Sequence, residues 1–228
     1  MRGYKYCTWV FICFSFFSCT KETGNNISIV GFVKLVDENG VELINREGVF
    51  VKAKTASSSG TTDLNGRFQL NKLVAGNVYS LEFSKESYGT VSTNTPKFVG
   101  DQKPGLISNV TMYQIPTASL INPSIQNQNN VLTVKGEVSP FRDNYLYVMA
   151  YANDSLEVSE THYDYKTWDF NPAGGGTYQN PFSLNIYLDN NTYVAGTTLY
   201  ISIYFYNPLD YGSVRSSGKK VGNLQIKL

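Results

Sequence analysis

The stretch TTDLNGRFQL, residues 61–70, decides the fold of the first half of the chain. Its Asp63, Asn65 and Gly66 suit either the start of a calcium loop or the turn of a β-hairpin. An EF-hand loop needs an oxygen ligand at its fifth position and a bidentate Glu at its twelfth. Counted from Asp63, those positions hold Arg67 and Val74. We therefore predict no metal here, but a hairpin turn in which Asp63 bonds to the backbone and Gly66 supplies a positive φ.

The chain begins MRGYKYCTWVFICFSFFSC, which has the layout of a secretory signal peptide over residues 1–18. Arg2 and Lys5 form a short basic region, and the apolar run that follows is too short to span a bilayer as a helix. The segment Phe16-Phe17-Ser18-Cys19 resembles a bacterial lipobox. That resemblance implies that Cys19 becomes the first mature residue and carries a lipid. The alternative is an ordinary signal peptide with a chance cysteine.

Residues 19–26 are then the lipidated cysteine and a polar tether, or else the first loop of the domain. The lipid anchor predicts a membrane-bound protein of the bacterial outer membrane, with the periplasmic or cell-surface side left open. The other cysteines, Cys7 and Cys13, lie before the cleavage point. A mature protein of this kind has no disulfide, no cysteine-based zinc site and no thiol nucleophile.

Charge argues against a nucleic-acid partner. The whole chain has a formal net charge of +1, and removal of Arg2 and Lys5 with the signal peptide turns it to −1. A near-neutral chain lacks the basic surface that binding to phosphates requires.

The fold class predicted from the pattern is all-β, because aromatic residues make up 14% of the chain and tyrosine alone accounts for 17 positions. Residues 27–115 hold short strands separated by turn signals, and no stretch keeps a helical period over three turns. Pro116 lies near the predicted domain boundary. Residues 116–228 hold about seven further strands, which favours an antiparallel sandwich of the fibronectin-III or immunoglobulin type. The polar run at 121–130 and the glycine-containing run at 166–180 are predicted to be loops.

Several short motifs follow one another in the order in which they occur in a known domain. They are Gly31-Phe32-Val33, Asp37-Glu38-Asn39-Gly40, Gly48-Val49-Phe50-Val51, Thr62-Asp63-Leu64-Asn65-Gly66-Arg67-Phe68 and Gly76 with Tyr79. Together they resemble the carboxypeptidase regulatory-like domain. The resemblance covers residues 27–115 and implies a prealbumin-like (transthyretin-like) sandwich. It also implies a non-catalytic accessory module of surface proteins in Bacteroidetes-type bacteria.

No catalytic constellation stands out in the sequence. His162 is the single histidine, whereas a catalytic zinc site takes two or three. No G-x-S-x-G motif is present to mark a serine nucleophile. We therefore predict no catalytic residue, no cofactor and no metal site, with a hydrolase as the least favoured class.

A tyrosine-rich face is the candidate binding site of the second domain. In YLYVMAY and LYISIYFY the tyrosines fall on one side of each strand and the aliphatic residues on the other. Neighbouring strands of this kind would form an aromatic platform on which sugar rings stack, or a second small core in which the rings pack. Solvent exposure distinguishes the two. The candidate ligand-binding residues are Tyr145, Tyr147, Tyr151, Trp168, Tyr200, Tyr204 and Tyr206. The expected function is a lipid-anchored envelope module that binds a glycan, or alternatively a structural or adhesive module that contacts an envelope protein.

Overall fold

The computed structural model describes residues 26–98, 105–140, 146–170, 180–189, 193–207, 209–210 and 218–228, with the backbone alone at 168–170. The predicted signal peptide, Cys19, the tether up to residue 25 and Tyr145 lie outside the described residues. Within them the chain is all-β, as predicted, and contains no helix. None of these described segments could cross a membrane as an apolar helix.

In the described residues, eight strands precede the predicted boundary and form two facing sheets. One sheet has the order β4-β1-β7, with β8 also paired to β1, and the other has the order β3-β2-β5-β6. The pairs of β1 with β7 and β8 are parallel, and the other pairs are antiparallel. The strands are β1 (Asn26–Val36), β2 (Phe50–Ala53), β3 (Ser59–Thr61), β4 (Arg67–Val74), β5 (Ser80–Lys85), β6 (Tyr88–Asn94), β7 (Gly105–Leu106) and β8 (Val110–Tyr113).

Alternating apolar residues of these strands meet in one core between the two sheets. Phe68 and Leu70 on β4 point inward and are fully buried. Phe68 meets Phe83 of the opposite sheet edge-on, with ring centroids 5.4 Å apart. Edge-to-face contact suits the aromatic quadrupole and adds to the free energy gained by burial.

The opening stretch forms the predicted turn, but its two strands do not pair with each other. The Asp63 carboxylate accepts bonds from the backbone N–H of Asn65 and Arg67 at 3.0 and 2.9 Å, and Gly66 has φ +79°. β3 then pairs with β2, whereas β4 pairs with β1 in the facing sheet. The prediction of a β-hairpin is therefore wrong in its pairing. The turn is a corner that carries the chain from one sheet of the sandwich to the other.

Seven strands follow in the part of the chain that the structure describes, and they form the second pair of sheets. One sheet has the order β13-β10-β9 and the other has the order β12-β11-β14-β15. Leu132 and Leu184 from the first sheet pack against Val148 and Ile203 from the second in a continuous core. The strands are β9 (Ser119–Gln128), β10 (Val131–Ser139), β11 (Tyr147–Asn153), β12 (Tyr165–Phe170), β13 (Phe182–Tyr187), β14 (Thr198–Tyr206) and β15 (Lys219–Lys227).

Two sequence predictions fail in this half. The polar run at 121–130, predicted to be a loop, supplies most of β9 because β10 pairs with it along its length. Its Pro123 is tolerated because β9 is an edge strand, and the register shifts nearby, between Lys135 and Glu137 of β10. The run at 166–180, also predicted to be a loop, supplies β12 as far as Phe170, and its residues 171–179 lie outside the described part of the chain.

The two halves are joined by hydrogen bonds as well as by the chain. The Glu38 carboxylate accepts bonds from the Thr117 N–H and hydroxyl, each at 2.9 Å to Oε2. The Asn207 amide donates to the Asp37 carbonyl at 3.1 Å. The end of β1 that carries Asp37 and Glu38 is therefore the end that faces the second sandwich.

Candidate functional site

The predicted tyrosine face forms where β11 and β14 lie side by side. The two strands pair antiparallel, with Tyr147 opposite Tyr206 and Met149 opposite Tyr204. Both strands are central in their sheet. The aliphatic side chains of these strands enter the main core, so the tyrosines emerge together on the outer surface of the sheet.

This face is covered, so of the two alternatives the structure shows the second small core and not the exposed platform. Tyr147 and Tyr151 are each 5% exposed, Tyr204 is 9% exposed and Tyr206 is fully buried. These four residues, the tyrosine cluster, form a second core with Met149 and Val158. Rings of Tyr151 and Tyr204 meet edge-on at 5.5 Å, which is the packing alternative stated above.

The cover is residues 154–163, the covering segment between β11 and β12. Val158 is 2% exposed and packs into the tyrosine cluster. Its carbonyl accepts a bond from Ser202 Oγ on β14 at 2.9 Å. The Tyr163 ring lies over Tyr151, with centroids 5.0 Å apart. Val158 of this segment therefore packs into the tyrosine cluster rather than into a sheet.

The remaining predicted site residues are less enclosed or undescribed. Tyr200 is half-buried against the cluster. Trp168 lies on β12 opposite Met149, but its side chain is among those not described, as is the whole of Tyr145.

Hydroxyl groups in the cluster hold one another and one carboxylate. Tyr206 Oη donates to Glu160 Oε2 at 2.6 Å and lies 3.1 Å from Tyr151 Oη. Burial raises the pKa of Tyr206 above its usual value, and the bonds to Glu160 and Tyr151 raise it further. Burial also raises the pKa of Tyr204, with the Glu160 charge as a second cause. Both phenols therefore stay neutral, and Tyr206 acts as a structural donor to Glu160.

The pKa shifts predict a loss of stability in alkali. Above pH about 10, the ordinary pKa of tyrosine, the unfolded chain releases the phenolic protons that the folded chain retains. The free energy of unfolding should therefore fall as pH rises through this range. Urea unfolding between pH about 8 and about 11 measures it, and Tyr206→Phe should show a shallower fall. Equal slopes for the two proteins would contradict the assignment.

An open face on the opposite sheet carries the surface that the sequence prediction missed. Along β10 and β13, inward residues such as Leu132 and Ile186 are buried, and their neighbours point to solvent. Tyr187, at the end of β13, is 71% exposed. Beside it the Thr133 hydroxyl donates to the Asn185 amide oxygen at 3.1 Å. The outward residues of this open face are Ser124, Gln126, Gln128, Val131, Thr133, Lys135, Ser183, Asn185 and Tyr187.

The sequence signal for the open face was present. The run FSLNIY alternates strictly between apolar and polar residues, which places Ser183, Asn185 and Tyr187 on one face. The contribution of β9 was hidden, because Asn and Gln runs with a proline are typical of loops. Only pairing with β10 brings Gln126 beside Thr133.

Metal and acid–base chemistry have no evident centre in the part of the chain described. No group of three metal-ligating side chains occurs there. Of the acidic residues, Glu160 holds Tyr206, and Asp164 accepts a 2.5 Å bond from Tyr193. His162 lies in the covering segment and pairs with Ser159 through the backbone.

Comparison with known proteins gives similarity at the level of solved structures alone. No model of a protein family matches the chain, and no curated protein matches it. A candidate carbohydrate-binding protein from Bacteroides uniformis is 18% identical, with a TM-score of 0.36, over 89% of this chain and 99% of its own. A DUF3823 family protein from Bacteroides ovatus is 12% identical, with a TM-score of 0.36, over 89% and 98%. Another from Parabacteroides merdae is 14% identical, with a TM-score of 0.32, over 79% and 90%. Likeness at this level carries no argument about function, and the resemblance of residues 27–115 to the carboxypeptidase regulatory-like domain stays a prediction.

Proposed function

We propose that the protein is a non-catalytic, lipid-anchored binding module of the bacterial outer membrane whose second sandwich binds a glycan. The observation that carries the proposal is the exposed Tyr187 ring at the margin of an open face made of amide and hydroxyl side chains. The tyrosine cluster is a core in this account and does not touch the ligand. Cys19 is the proposed site of lipidation.

The chemistry of the open face suits sugar hydroxyls. Each Asn or Gln side chain offers two donors and an acceptor, so it can bond neighbouring hydroxyls in both directions. An exposed tyrosine offers a flat apolar ring with a polar tip. Gln126 and Gln128 of β9 and Asn185 of β13 flank the central strand, so their amides border the same surface. The ligand would lie across three strands.

The first sandwich serves as a spacer in this proposal. β1 has eleven residues and begins at Asn26, seven positions after Cys19. At about 3.3 Å per residue it is about 35 Å long. Its far end carries the Asp37 and Glu38 contacts to the second sandwich. A lipid at Cys19 would therefore hold the second sandwich well away from the bilayer.

Retention on polysaccharides tests the binding. Residues 20–228, which lack the lipidation site, should be retained on at least one bacterial or plant polysaccharide. Tyr187→Ala should weaken that binding by about tenfold, equivalent to about 1.4 kcal/mol, because it removes the exposed ring. Phe50→Ala is the matched control, since Phe50 is 43% exposed on the first sandwich and should leave binding unchanged. No retention on any polysaccharide would refute glycan binding.

A protein partner is the second candidate, which a different surface favours. Ile44 is 94% exposed, and Val41 and Leu64 are each 58% exposed. They lie on neighbouring loops, because the Arg46 N–H donates to the Leu64 carbonyl at 3.1 Å. Exposed aliphatic residues of this kind are typical of protein contacts. The same polysaccharide assay separates the candidates, because a module of this second kind would not be retained.

A further inference from the structure

One end of the first sandwich, here called the base, is defined by the start of β1. Asn26 pairs with Val74, the last residue of β4. Ala53 of β2 pairs with Leu81 and Ser80 pairs with Asn94, so the neighbouring strands place their connections at the same end. The base therefore consists of residues 54–58, 75–79 and 95–98, together with Lys72 and Val74 of β4.

The base is basic and partly apolar. Its charged residues are Lys54, Lys72 and Lys97, and the described residues of the base include no Asp or Glu. Lys54 bonds Glu82 on β5 at 2.9 Å, which leaves Lys72 and Lys97 as the two charges of the base that have no ion pair among the described residues. Two apolar side chains of the base are also exposed, Val74 at 41% and Val78 at 55%.

The far end of the same sandwich has the opposite character. Its loops at 37–49 and 62–66 contain one cation, Arg46, and five acidic residues, Asp37, Glu38, Glu42, Glu47 and Asp63. Glu42 is ion-paired with Arg46 and with Lys34 of β1, and Lys85 donates to the Glu47 carbonyl at 2.7 Å. The sandwich is therefore polarised along β1, with positive charge at the start of the strand and negative charge at its end.

Local structure fixes the base in this form. Lys72 has φ +60° at a register shift between β4 and β1, and a bulge of this kind re-aims a side chain out of the ladder. The Tyr79 hydroxyl bonds both the N–H and the carbonyl of Val74, at 2.8 and 3.0 Å. These bonds hold the 74–79 turn and keep Val78 on the surface.

We infer that the base rests on the phospholipid headgroup surface of the membrane that holds the anchor. The inference depends on the lipidation of Cys19 proposed above. Only six residues separate Cys19 from Asn26, and at no more than about 3.5 Å each they reach about 21 Å. Lysines attract anionic lipids over about 10 Å, and small apolar residues enter the headgroup boundary. Lys72, Lys97, Val74 and Val78 supply both contacts at the end that the tether brings to the bilayer.

The test measures the distance of each end from the bilayer. The three native cysteines are Cys7, Cys13 and Cys19, so a thiol dye attached to mature lipidated Val78→Cys labels one site. Ile44→Cys is the matched control, an exposed aliphatic residue at the far end. Each protein is incorporated in vesicles of phosphatidylethanolamine and phosphatidylglycerol that contain a headgroup-attached quencher. The dye at residue 78 should be quenched at least about twofold more than the dye at residue 44.

Charge reversal tests the role of the two lysines, and flotation with vesicles tests the lipid anchor. Lys72→Glu combined with Lys97→Glu should reduce the quenching at residue 78 and leave co-flotation with vesicles unchanged. Equal quenching at residues 78 and 44 in a protein that floats would overturn the inference. Failure to float would instead refute the anchor at Cys19, so the two claims fail separately. Binding of the base to a second copy would leave the dye at residue 78 unquenched, which also overturns the inference.

Discussion

Replacement of Tyr206 by alanine is expected to lower the free energy of unfolding by about 3–5 kcal/mol, the range for a large buried aromatic side chain. The ring is fully buried and packs between Tyr147, at 6.5 Å, and Tyr204, at 6.0 Å. The variant would also leave the Glu160 carboxylate without the phenol that donates to it. The cavity and the lost hydrogen bond therefore both lower the free energy of unfolding.

The measurement is urea unfolding followed by Trp168 fluorescence, since Trp168 is the single tryptophan beyond the signal peptide. Tyr187→Ala is the control in the same sandwich, because its 71% exposure predicts a change within about 0.5 kcal/mol. If both variants lost the same small amount of stability, the tyrosine cluster would not be a core.

The second large effect is expected for Gly66→Ala at the corner of the first sandwich. At φ +79° any side chain is strained by about 1–2 kcal/mol. A Cβ at this position would also lie 2.2 Å from the Val33 carbonyl oxygen. This backbone atom cannot move away, because it belongs to β1, which is paired on both sides in its sheet. We expect a loss above about 3 kcal/mol, at the exceptional end of single substitutions.

Gly76→Ala separates the two causes. Gly76 has φ +85°, but nothing lies within 4 Å of a Cβ built there. It should therefore cost only the backbone strain, about 1–2 kcal/mol. Urea unfolding followed by circular dichroism compares the two variants, and equal losses would show that the contact with Val33 is not tight.

The turn chemistry of the first sandwich was predictable because it is local. Asp63, Asn65 and Gly66 act within five residues, and Asp37 repeats the arrangement by accepting from the Asn39 and Val41 N–H groups. The partner of each strand was not predictable, since β3 and β4 enter different sheets through contacts far away in sequence. Local pattern fixes the corner, and long-range packing fixes which sheet follows it.

The second sandwich shows the same division. Alternation placed Tyr147 and Tyr204 on one face, and the structure confirms it. Their burial depends on the covering segment. Nothing in the sequence around Val158 indicates that this residue packs onto the tyrosines. The strand β9 was missed because it is a largely exposed edge strand. Its sequence therefore lacks the alternation of apolar and polar residues that marks a strand with one buried face. The candidate site therefore moved from the tyrosine cluster to the open face.

The most direct test of glycan binding by the open face is a map of backbone amide shifts. Nuclear magnetic resonance of residues 20–228, titrated with the polysaccharide that retains the protein, should perturb the amides of Gln126, Thr133 and Asn185. Those of Met149 and Ser202, beneath the covering segment, should stay in place. Perturbations centred on Met149 and Ser202, or none on β9, β10 and β13, would contradict the account.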